Sequence, residues 1–413
     1  MSIYAKILQE SPVRLWGLSS HERLERMLAK AGVSTLEENA HSVNGNDTIL
    51  LLRSDFLYDQ RIIENIIEVD GIILEASTSQ GPKPVAAHVS ADMADSVEAL
   101  LSIENPLDED EPGEYPAGLR RESARTLVPV YQKKLRKIDP PYLLPITEEK
   151  RRKLEKRLFA GSYKGVTDLV TKWLWPLPAQ WVTGICARNG ISPNHVTSLS
   201  LVLSLLALFQ FYQGAYAWGL VSAWLMTFLD TVDGKLARVT INYSPFGNIF
   251  DHGIDLIFPP LWYVAWGMSL QATHTTILGL SMAWILWLTV AGYIVGRLCE
   301  AIFIRILEPS GLFCWQPVDS CFRLITGRRN PNLVLFTVCL FFGRADIGLF
   351  AVCMWTVLSS LFLTHRLIYG FQVRAQSGPL RSWFLDVDPA NDQLSVFQRW
   401  FCQRPDIAAG EDH

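Results

Sequence analysis

Apolar residues follow two different patterns along the chain, and the change between them predicts two regions. Up to about residue 105, short apolar runs alternate with segments in which apolar residues recur at helical spacing. This pattern predicts strands at 47–53 and 71–75 and helices at 21–31, 59–67 and 91–101. Because strands and helices alternate, we expect an α/β layer with a parallel sheet.

The second half of the chain carries much longer apolar runs. Five of them are near the roughly 20 residues that a helix needs to cross a bilayer, at 194–213, 217–237, 246–270, 276–303 and 347–369. A shorter run at 333–343 predicts either a sixth span or a re-entrant or tilted segment. The overall prediction is a multi-pass α-helical membrane domain of about six transmembrane helices, preceded by a cytosolic α/β domain.

The segment between these regions suits a membrane surface. Residues 103–118 are acidic and rich in proline and glycine, which predicts a linker. Glu148–Leu158 is a predicted helix with a basic run, which indicates either contact with anionic lipid head groups or a solvated helix face. Val166–Cys186 is dense in tryptophan, which is typical of an amphipathic segment lying in the interface. We therefore divide the chain into a cytosolic α/β domain at 1–140, a basic and amphipathic juxtamembrane segment at 141–190, a transmembrane domain at 191–370 and a cytosolic tail at 371–413.

Composition excludes several classes of function and indicates the compartment. The net charge of the 413 residues is −4, so no excess of positive charge suggests nucleic-acid binding. The seven cysteines lack paired spacing, which argues against a disulfide framework or a zinc site. The first ten residues carry no apolar stretch of signal-peptide length. Arginines are concentrated in the 304–330 connection and after residue 365, so the positive-inside rule predicts that both termini are cytosolic.

Four carboxylates form the strongest chemical signal in the sequence: Asp230, Asp233, Asp251 and Asp255. Asp230 and Asp233 share a face at the end of one predicted helix. Asp251 and Asp255 share a face at the start of the next, after the polar turn 242–245. The acids are therefore expected to meet at the cytosolic end of a helical hairpin.

Such a cluster of carboxylates needs positive charge. Like charges about 4 Å apart repel by roughly 4 kcal/mol at an effective dielectric constant near 20. Oxygen ligands suit Mg²⁺ or Mn²⁺, expected here as two ions that also bind substrate phosphates. Lys235 and Arg238 add positive charge, and Gly234 and Gly247 would let a substrate approach the backbone closely.

The spacing of these residues, Asp-x2-Asp-Gly-x2-Ala-Arg-x8-Gly-x3-Asp-x3-Asp, resembles the signature of the CDP-alcohol phosphotransferases, which are integral membrane enzymes of phospholipid synthesis. Every specified position matches: Asp230, Asp233, Gly234, Ala237, Arg238, Gly247, Asp251 and Asp255. The resemblance covers about 164–369. It implies Mg²⁺-dependent transfer of a phosphatidyl or phospho-polyol group from a CDP-alcohol to an acceptor hydroxyl, with release of CMP.

The resemblance also implies roles for the acids. Asp230, Asp233 and Asp251 are expected to bind metal, and Asp255 is expected to take the acceptor's proton while touching the second metal. His252 is a rival base, but on a helix it points about 100° away from Asp251. We therefore prefer Asp255.

Other residues are expected to contact the CDP moiety. The resemblance assigns Gly234, Ala237, Arg238 and Gly247 to this group. A Pro-Asn-x-x-Thr sequence at the start of the first span is similar to one that lies near the nucleotide in the family, so Asn194 and Thr197 join the group. Helix capping is the alternative explanation for both.

Three arginines are candidates for binding the acceptor. Arg297 lies in the fourth apolar run, and Arg328 and Arg329 precede the short run at 333–343. Clustered arginines favour an acceptor that bears phosphate, such as an inositol phosphate. The alternatives are an ion pair between Arg297 and Glu300 and lipid head-group anchoring by the other two. The donor stays open among CDP-diacylglycerol, CDP-inositol and a CDP-aminoalcohol.

The N-terminal region resembles part of a sugar-phosphate nucleotidyltransferase. The likeness rests on 12–18 and on Leu50–Asp55, and in that family the acid after the strand, here Asp55, binds metal. None of residues 1–10 is glycine, so the amides that cradle a triphosphate are missing. We expect a non-catalytic domain that binds, docks or regulates, with Asp55 as a capping acid.

Two non-enzymatic classes also fit acids in membrane helices, a divalent-cation transporter and an inactive scaffold. A transporter is expected to spread its acids over several helices near the midplane, and decay fits an intact set of acids poorly. We therefore expect an integral membrane enzyme, in a bacterial inner membrane, whose partners are a membrane lipid, a CDP-alcohol donor and a polar or phosphorylated alcohol acceptor. Membrane enzymes of this family are often homodimers.

Overall fold

The computed structural model describes residues 2–35, 47–78, 81–102, 116–271, 273–308, 310–388 and 395–402, and at 245, 246, 248, 251 and 252 it describes the backbone alone. Most of the linker predicted at 103–118 lies outside these residues. The described strands are β1 Ile3–Leu8, β2 Ser34–Thr35, β3 Thr48–Arg53, β4 Phe56–Tyr58, β5 Ile72–Thr78, β6 Gly81–Ser90, β7 Arg120–Ser123, β8 Tyr131–Gln132, β9 Lys137–Ile138, β10 Leu143–Pro145, β11 Thr276–Ile277 and β12 Leu280–Ser281.

The described helices fall into an N-terminal and a C-terminal group. The first group comprises α1 Ser20–Ala31, α2 Gln60–Ile66, α3 Ala94–Ser102 and α4 Ala124–Leu127. The second comprises α5 Arg151–Gly161, α6 Pro176–Arg188, α7 Pro193–Tyr212, α8 Tyr216–Val239, α9 Pro245–Leu270, α10 Met282–Ile302, α11 Pro317–Arg323, α12 Arg329–Phe341, α13 Ala345–Ser377 and α14 Val396–Phe401.

The N-terminal region is an α/β layer around a six-stranded sheet with the order β2-β1-β3-β6-β5-β7. The side chains of β3 are buried along its whole length, because α1 and α2 cover one face of the sheet and α3 covers the other. The predicted strands at 47–53 and 71–75 and the three predicted helices are confirmed. Strands β1 and β6 were not predicted.

The sheet is mixed, so the expectation of a parallel sheet is confirmed for three strand pairs and wrong for the two that involve β6. β6 runs antiparallel to both β3 and β5, while β1 pairs with β3 and β5 with β7 in parallel. The physical reason is the connection between β5 and β6, which is only two residues long. A parallel pair needs a crossover of a dozen or more residues, whereas so short a connection permits only a hairpin.

The C-terminal region is helical, and its long helices coincide with the predicted apolar runs. Two of the described helices, α7 and α13, are both long and apolar enough to cross a membrane. Helices α8, α9 and α10 also match predicted runs in position, and α12 covers the shorter run with 13 residues. A count of six membrane spans stays a prediction.

Aromatic side chains fill the centre of the helical region. Phe211 of α7, Trp266 of α9 and Phe336 of α12 pack in series, with ring centroids 5.1 and 4.0 Å apart. Trp262 and Trp266 are almost fully buried, and each indole donates to a backbone carbonyl of a neighbouring helix. Because their N–H groups are satisfied, both tryptophans can fix the positions of these helices at little polar cost.

The N-terminal region lies against the C-terminal end of α8. Arg23, which is 4% exposed, donates hydrogen bonds to the carbonyls of Leu15 and Val239, each 3.0 Å long. Arg26 donates to the Thr240 carbonyl at 2.8 Å, and Ile241 packs on the apolar core of the N-terminal region. Positive side chains at a helix C-terminus satisfy its free carbonyls. The α/β region thus caps α8.

Candidate active site

The predicted helical hairpin is formed by α8 and α9. Asp230 and Asp233 lie in the last turns of α8, which ends at Val239. Ser244 caps α9 by accepting a hydrogen bond from the Gly247 amide at 3.1 Å, and proline follows at the first helical position. A short turn and a strong cap therefore bring the two acid-bearing helix ends together.

Asp230 and Asp255 share one arginine. Arg329, the first residue of α12, contacts Asp230 through Nη2 at 2.6 Å and Asp255 through Nη1. The carboxylates of two neighbouring helices therefore converge on one positive group supplied by a third. A position that holds a guanidinium between two carboxylates is also suited electrostatically to a metal cation.

Asp233 is more deeply buried than Asp230 and Asp255, the other two candidate acids whose side chains are described. Its side chain is 3% exposed, and Oδ2 accepts a hydrogen bond of 2.7 Å from the Thr197 hydroxyl of α7. Oδ1 is buried and has no hydrogen-bond partner among the residues that the structure describes. An unsatisfied buried acceptor costs about 1–3 kcal/mol. This oxygen fits a cation that would bind beside Asp233.

The rest of the predicted metal set is only partly described. The backbone places Asp251 one helical turn before Asp255 on α9, but the side chains of Asp251 and His252 lie outside the description. Among the described side chains, no group of three or more histidines, cysteines and acids is arranged to hold a metal ion. The four-acid metal set and the choice of Asp255 as base stay predictions.

The residues predicted to bind CDP surround the acids. A Cβ on Gly247 would lie 2.5 Å from Asn194 Oδ1, so a larger residue there would displace the Asn194 side chain. Arg238 donates to the Gly234 carbonyl at 2.8 Å, and Ala237 is half-buried on the same helix.

Thr197 and Asn194 differ in what they contact. The Thr197 hydroxyl holds Asp233 and also reaches the Pro193 carbonyl at 3.0 Å, whereas Ser192 caps α7. Thr197 therefore positions a carboxylate, a contact that the sequence pattern did not predict. Contact of Asn194 and Thr197 with cytidine stays a prediction.

The three candidate acceptor arginines are divided between two places. Arg297 contacts Glu300 at 3.3 Å, which confirms that this ion pair forms, and Arg328 contacts the same carboxylate with Nε at 3.1 Å. The space enclosed beside them is about 10 Å³, roughly the space that one water needs. Arg329 instead reaches the acids. An acceptor pocket at Arg297 and Arg328 would require this cluster to open.

Lys235 contacts the segment that follows α5, and the sequence did not predict this contact. Its ammonium donates to the Ser162 carbonyl at 3.3 Å and lies 3.3 Å from the centre of the Tyr163 ring. Lys235 is buried and lies between Asp233 and Arg238 in the sequence pattern. The juxtamembrane segment therefore covers the acid-bearing end of α8. No local pattern predicts this contact, because its partners are more than 70 residues apart.

Asp168 supports Asn330, which follows Arg329. The Asp168 carboxylate accepts hydrogen bonds from the Asn330 amide at 3.0 Å and from the Thr171 hydroxyl at 2.9 Å. Burial raises the pKa of Asp168, but Arg323 and these hydrogen bonds outweigh it and hold the pKa below its usual value. The charged carboxylate thereby fixes the start of α12 and, with it, Arg329.

Asp55 is arranged differently from the acids of the helical region. It follows β3 and contacts Arg53 of the same strand at 2.7 Å. The cap of α2 is Asp59, whose side chain accepts from the Arg61 amide. Asp55 therefore neutralises a buried arginine of its own strand and does not cap that helix.

Comparisons with known proteins identify the region that contains the acids. Residues 190–325 match the family model of CDP-alcohol phosphatidyltransferases. The archaetidylinositol phosphate synthase of Pyrococcus horikoshii is 38% identical over 79 residues, which are 19% of this chain and 42% of that protein. Cholinephosphotransferase 1 of Gallus gallus is 30% identical over 128 residues, 28% of this chain and 37% of that protein.

A human cholinephosphotransferase is also similar to the chain, at lower identity. Cholinephosphotransferase 1 of Homo sapiens is 28% identical over 134 residues, 31% of this chain and 32% of that protein. The chain thus spans less than half the length of the curated relatives it matches. The match to the family model lies within the helical region.

Proposed function

We propose that this protein transfers a phospho-alcohol group from a CDP-alcohol to an acceptor hydroxyl and releases CMP, because residues 190–325 match the family model of CDP-alcohol phosphatidyltransferases. The observation that carries the proposal is the convergence of Asp230 and Asp255, from neighbouring helices, on Arg329. A diphosphate and its cations need such a concentration of carboxylate and guanidinium groups at one helix end.

Asp230, Asp233 and Asp251 are the residues that would hold divalent cations, Mg²⁺ or Mn²⁺. Bound there, the cations would neutralise charge on the diphosphate. The buried, unsatisfied Oδ1 of Asp233 supports this assignment. Thr197 orients that carboxylate through its hydroxyl, and Gly247 keeps the space beside Asn194 open.

The transfer itself needs a base and a path for the leaving group. The acceptor oxygen forms a bond to the phosphorus that carries the alcohol, and the bond from that phosphorus to the CMP oxygen breaks. Asp255 would take the hydroxyl proton, and CMP would leave with the electron pair of the broken bond. Arg329, which contacts Asp255, would face the negative charge that the acceptor or the transferred phosphate brings.

We propose a phosphorylated polar alcohol as the acceptor, with CDP-diacylglycerol as the donor. Arg329 beside the acids and Arg328 and Arg297 nearby supply the bidentate groups that bind phosphate. One relative is named for inositol phosphate and others for phosphocholine transfer, so a CDP-inositol or CDP-aminoalcohol donor is the alternative.

The membrane arrangement completes the proposal. Helices α7 to α10, α12 and α13 would form six spans of an inner membrane, with both termini and the acids on the cytosolic side. The exposed side chains of Leu177 and Trp181 on α6 support an interfacial position for that helix. A homodimer is the proposed assembly.

A matrix of donors and acceptors tests the proposal. The purified full chain would be incubated with CDP-diacylglycerol, CDP-inositol or CDP-choline, each with an inositol phosphate, glycerol phosphate or diacylglycerol. CMP release is measured with Mg²⁺ and with a chelator. We expect release that requires both Mg²⁺ and an acceptor, and that is fastest with a phosphorylated acceptor.

Four results would contradict the proposal, each in a different part. CMP release from no donor would reject the reaction, and release without any acceptor would indicate hydrolysis. Metal flux in reconstituted vesicles without CMP release would instead indicate a transporter. A preference for diacylglycerol would keep the reaction but reverse the assignment of acceptor.

A further inference from the structure

A large cavity lies between the N-terminal region and the membrane-proximal helices. Its volume is about 1130 Å³. It is lined by the end of β5, one face of α5, the segment 163–165, the start of α6 and residues 400–402. None of the described acids Asp230, Asp233 and Asp255 lines it. The cavity therefore does not contain these acids, and it reaches the candidate active site through Tyr163, which lines it and contacts Lys235 of α8.

The wall of this cavity is strongly basic. Eight lysines and arginines and one acid, Glu75, are among its described lining residues, and Glu75 is paired with Arg121 at 2.7 Å. The basic face of α5 contributes Lys150, Lys153 and Arg157, spaced three or four residues apart as one helix face requires. Positive charge in a concave wall focuses an attractive field on anions.

Two nitrogens of the Arg157 guanidinium lack a hydrogen-bond acceptor among the described residues. It is 3% exposed, and its Nη2 donates to Asp139 at 2.7 Å and to the Pro140 carbonyl at 3.1 Å. Its Nε and Nη1 have no hydrogen-bond partner in the part of the chain that the structure describes. Lys137 shares Asp139 with Arg157, so two buried cations face one carboxylate. Those two nitrogens are enclosed by protein, and the guanidinium lies 4.3 Å from the centre of the Tyr142 ring, so Arg157 would attract a ligand's anionic oxygens through its charge.

The rim of the cavity is apolar where it meets α6. Pro176 and Leu177 line it, and Leu177 is 81% exposed. Trp400 lines it as well, and its ring lies 5.5 Å from that of Trp173, which is half-exposed. A basic hollow with an apolar edge matches a ligand that combines an anionic phosphate with apolar groups at a membrane surface.

We propose that this cavity binds a phosphate ester through the basic face of α5, as the head group of an anionic phospholipid or as a soluble phosphate. This is a second ligand site, and it does not rest on the transfer reaction proposed above. The predicted contact of 148–158 with anionic head groups thereby gains a defined location, with the phosphate facing Arg157 and Lys153.

Binding of short-chain lipids to the purified full chain tests the proposal. The probes are dihexanoyl phosphatidylglycerol, dihexanoyl phosphatidylcholine and inorganic phosphate, with affinity measured by titration calorimetry at low salt. The variant Lys153→Gln/Lys156→Gln removes two exposed cations from the cavity wall. Arg152→Gln is the matched control, because Arg152 is exposed on the same helix but does not line the cavity.

We expect the double variant to bind the anionic probe about tenfold more weakly, since each cation near a phosphate contributes on the order of a fewfold in affinity, and Arg152→Gln to bind like the wild type. Tighter binding of phosphatidylglycerol than of phosphate identifies a lipid head group as the source, and the reverse identifies a soluble phosphate. Failure of the wild type to bind either anion overturns the proposal. Equal weakening by Arg152→Gln, or equal affinity for phosphatidylcholine, overturns it as well.

Discussion

Asp55 in the N-terminal sheet and Asp230 in the helical region both contact arginine, but the arginines come from different distances along the chain. Arg53 lies two residues before Asp55 on the same strand. Arg329 lies 99 residues from Asp230 and also contacts Asp255 on another helix. A local pair serves to neutralise a buried arginine, whereas a long-range group that collects two acids builds a site. The sequence separation of the paired arginine therefore distinguishes Asp55 from the acids of the candidate site.

The two regions also differ in how they serve α8. The helical region places Asp230 and Asp233 on it, and the N-terminal region satisfies the carbonyls at its end through Arg23 and Arg26. The N-terminal region thus contacts the helix that carries Asp230 and Asp233 without contributing an acid to it. Docking is the role of the N-terminal region that these contacts support.

The largest expected effect is that of Asp233→Asn. The amide keeps the shape of the side chain but loses the negative charge that a cation would need. We expect CMP release to fall by about a thousandfold, the upper range for removing one preorganised electrostatic group. The assay is Mg²⁺-dependent CMP release by the purified variant.

Asp55→Asn is the counterpart in the N-terminal region. Because Asp55 only neutralises Arg53, CMP release per folded molecule should stay within about twofold of the wild type, as for substitutions outside a site. Similar losses in the two variants would break the distinction between the local and the long-range acid. A loss of CMP release in Asp55→Asn alone would indicate that the N-terminal region takes part in catalysis.

Arg329→Gln should have the next largest effect. Removing it leaves Asp230 and Asp255 without their shared cation and removes a phosphate-binding group. Truncating one partner of a largely buried charge pair costs several kcal/mol, so we expect kcat/KM to fall by about a hundredfold. The loss should be greater with a phosphorylated acceptor than with diacylglycerol.

Arg344→Gln is the matched control for Arg329. Arg344 contacts Asp346 two residues away at 2.8 Å, the same local spacing as Arg53 and Asp55, and it is exposed. Exposed pairs contribute about 0–1 kcal/mol, so activity should not change. An Arg329→Gln variant with wild-type kinetics for every acceptor would show that Arg329 only holds helices together.

The sequence predicted the elements whose signals are local, and it missed those that depend on distant contacts. Apolar runs predicted the helices, and the spacing of the acids predicted the hairpin. The direction of β6 and the contact of Lys235 with the Tyr163 ring depend on residues brought together by folding. The same holds for Arg329, which lay in the predicted acceptor group and not with the acids.

A smaller effect is expected where the two regions meet, at Arg23. Arg23→Ala would leave the carbonyls of Leu15 and Val239 without a buried donor, at about 2 kcal/mol in the free energy of unfolding. Because Val239 ends the helix that bears Asp233, we expect CMP release to fall about fivefold as well. Thermal unfolding and turnover would be measured on the same preparation.

Arg26→Ala separates docking from general loss of stability. Arg26 donates to Thr240, but it is exposed, so its removal should cost no more than about 0.5 kcal/mol. If Arg23→Ala lowers stability and leaves turnover unchanged, the N-terminal region stabilises α8 without affecting its acids. If both variants behave like the wild type, the contact with α8 has no measurable role.

The smallest effect concerns the basic cavity between the two regions. Lys172, which lines it, has its pKa lowered to about 8, first by burial and then by nearby Lys137, while the Cys402 thiol opposes the shift. Because the pKa is lowered, Lys172 is charged below pH 8 and loses its proton above it. Affinity for dihexanoyl phosphatidylglycerol should therefore fall about threefold between pH 7 and 9 through this residue, since one cation near a membrane surface contributes about 1 kcal/mol.

The variant Lys172→Arg isolates that contribution. Arginine stays charged throughout this range. The roughly threefold fall in affinity that Lys172 causes in the wild type should therefore be missing from the variant. The phosphodiester of the probe does not titrate there, so the difference reports on the protein alone. Identical pH profiles would exclude Lys172 from the anion site. A flatter profile for Lys172→Arg, with CMP release unchanged, would show that the junction of the two regions binds anions independently of the acids on α8.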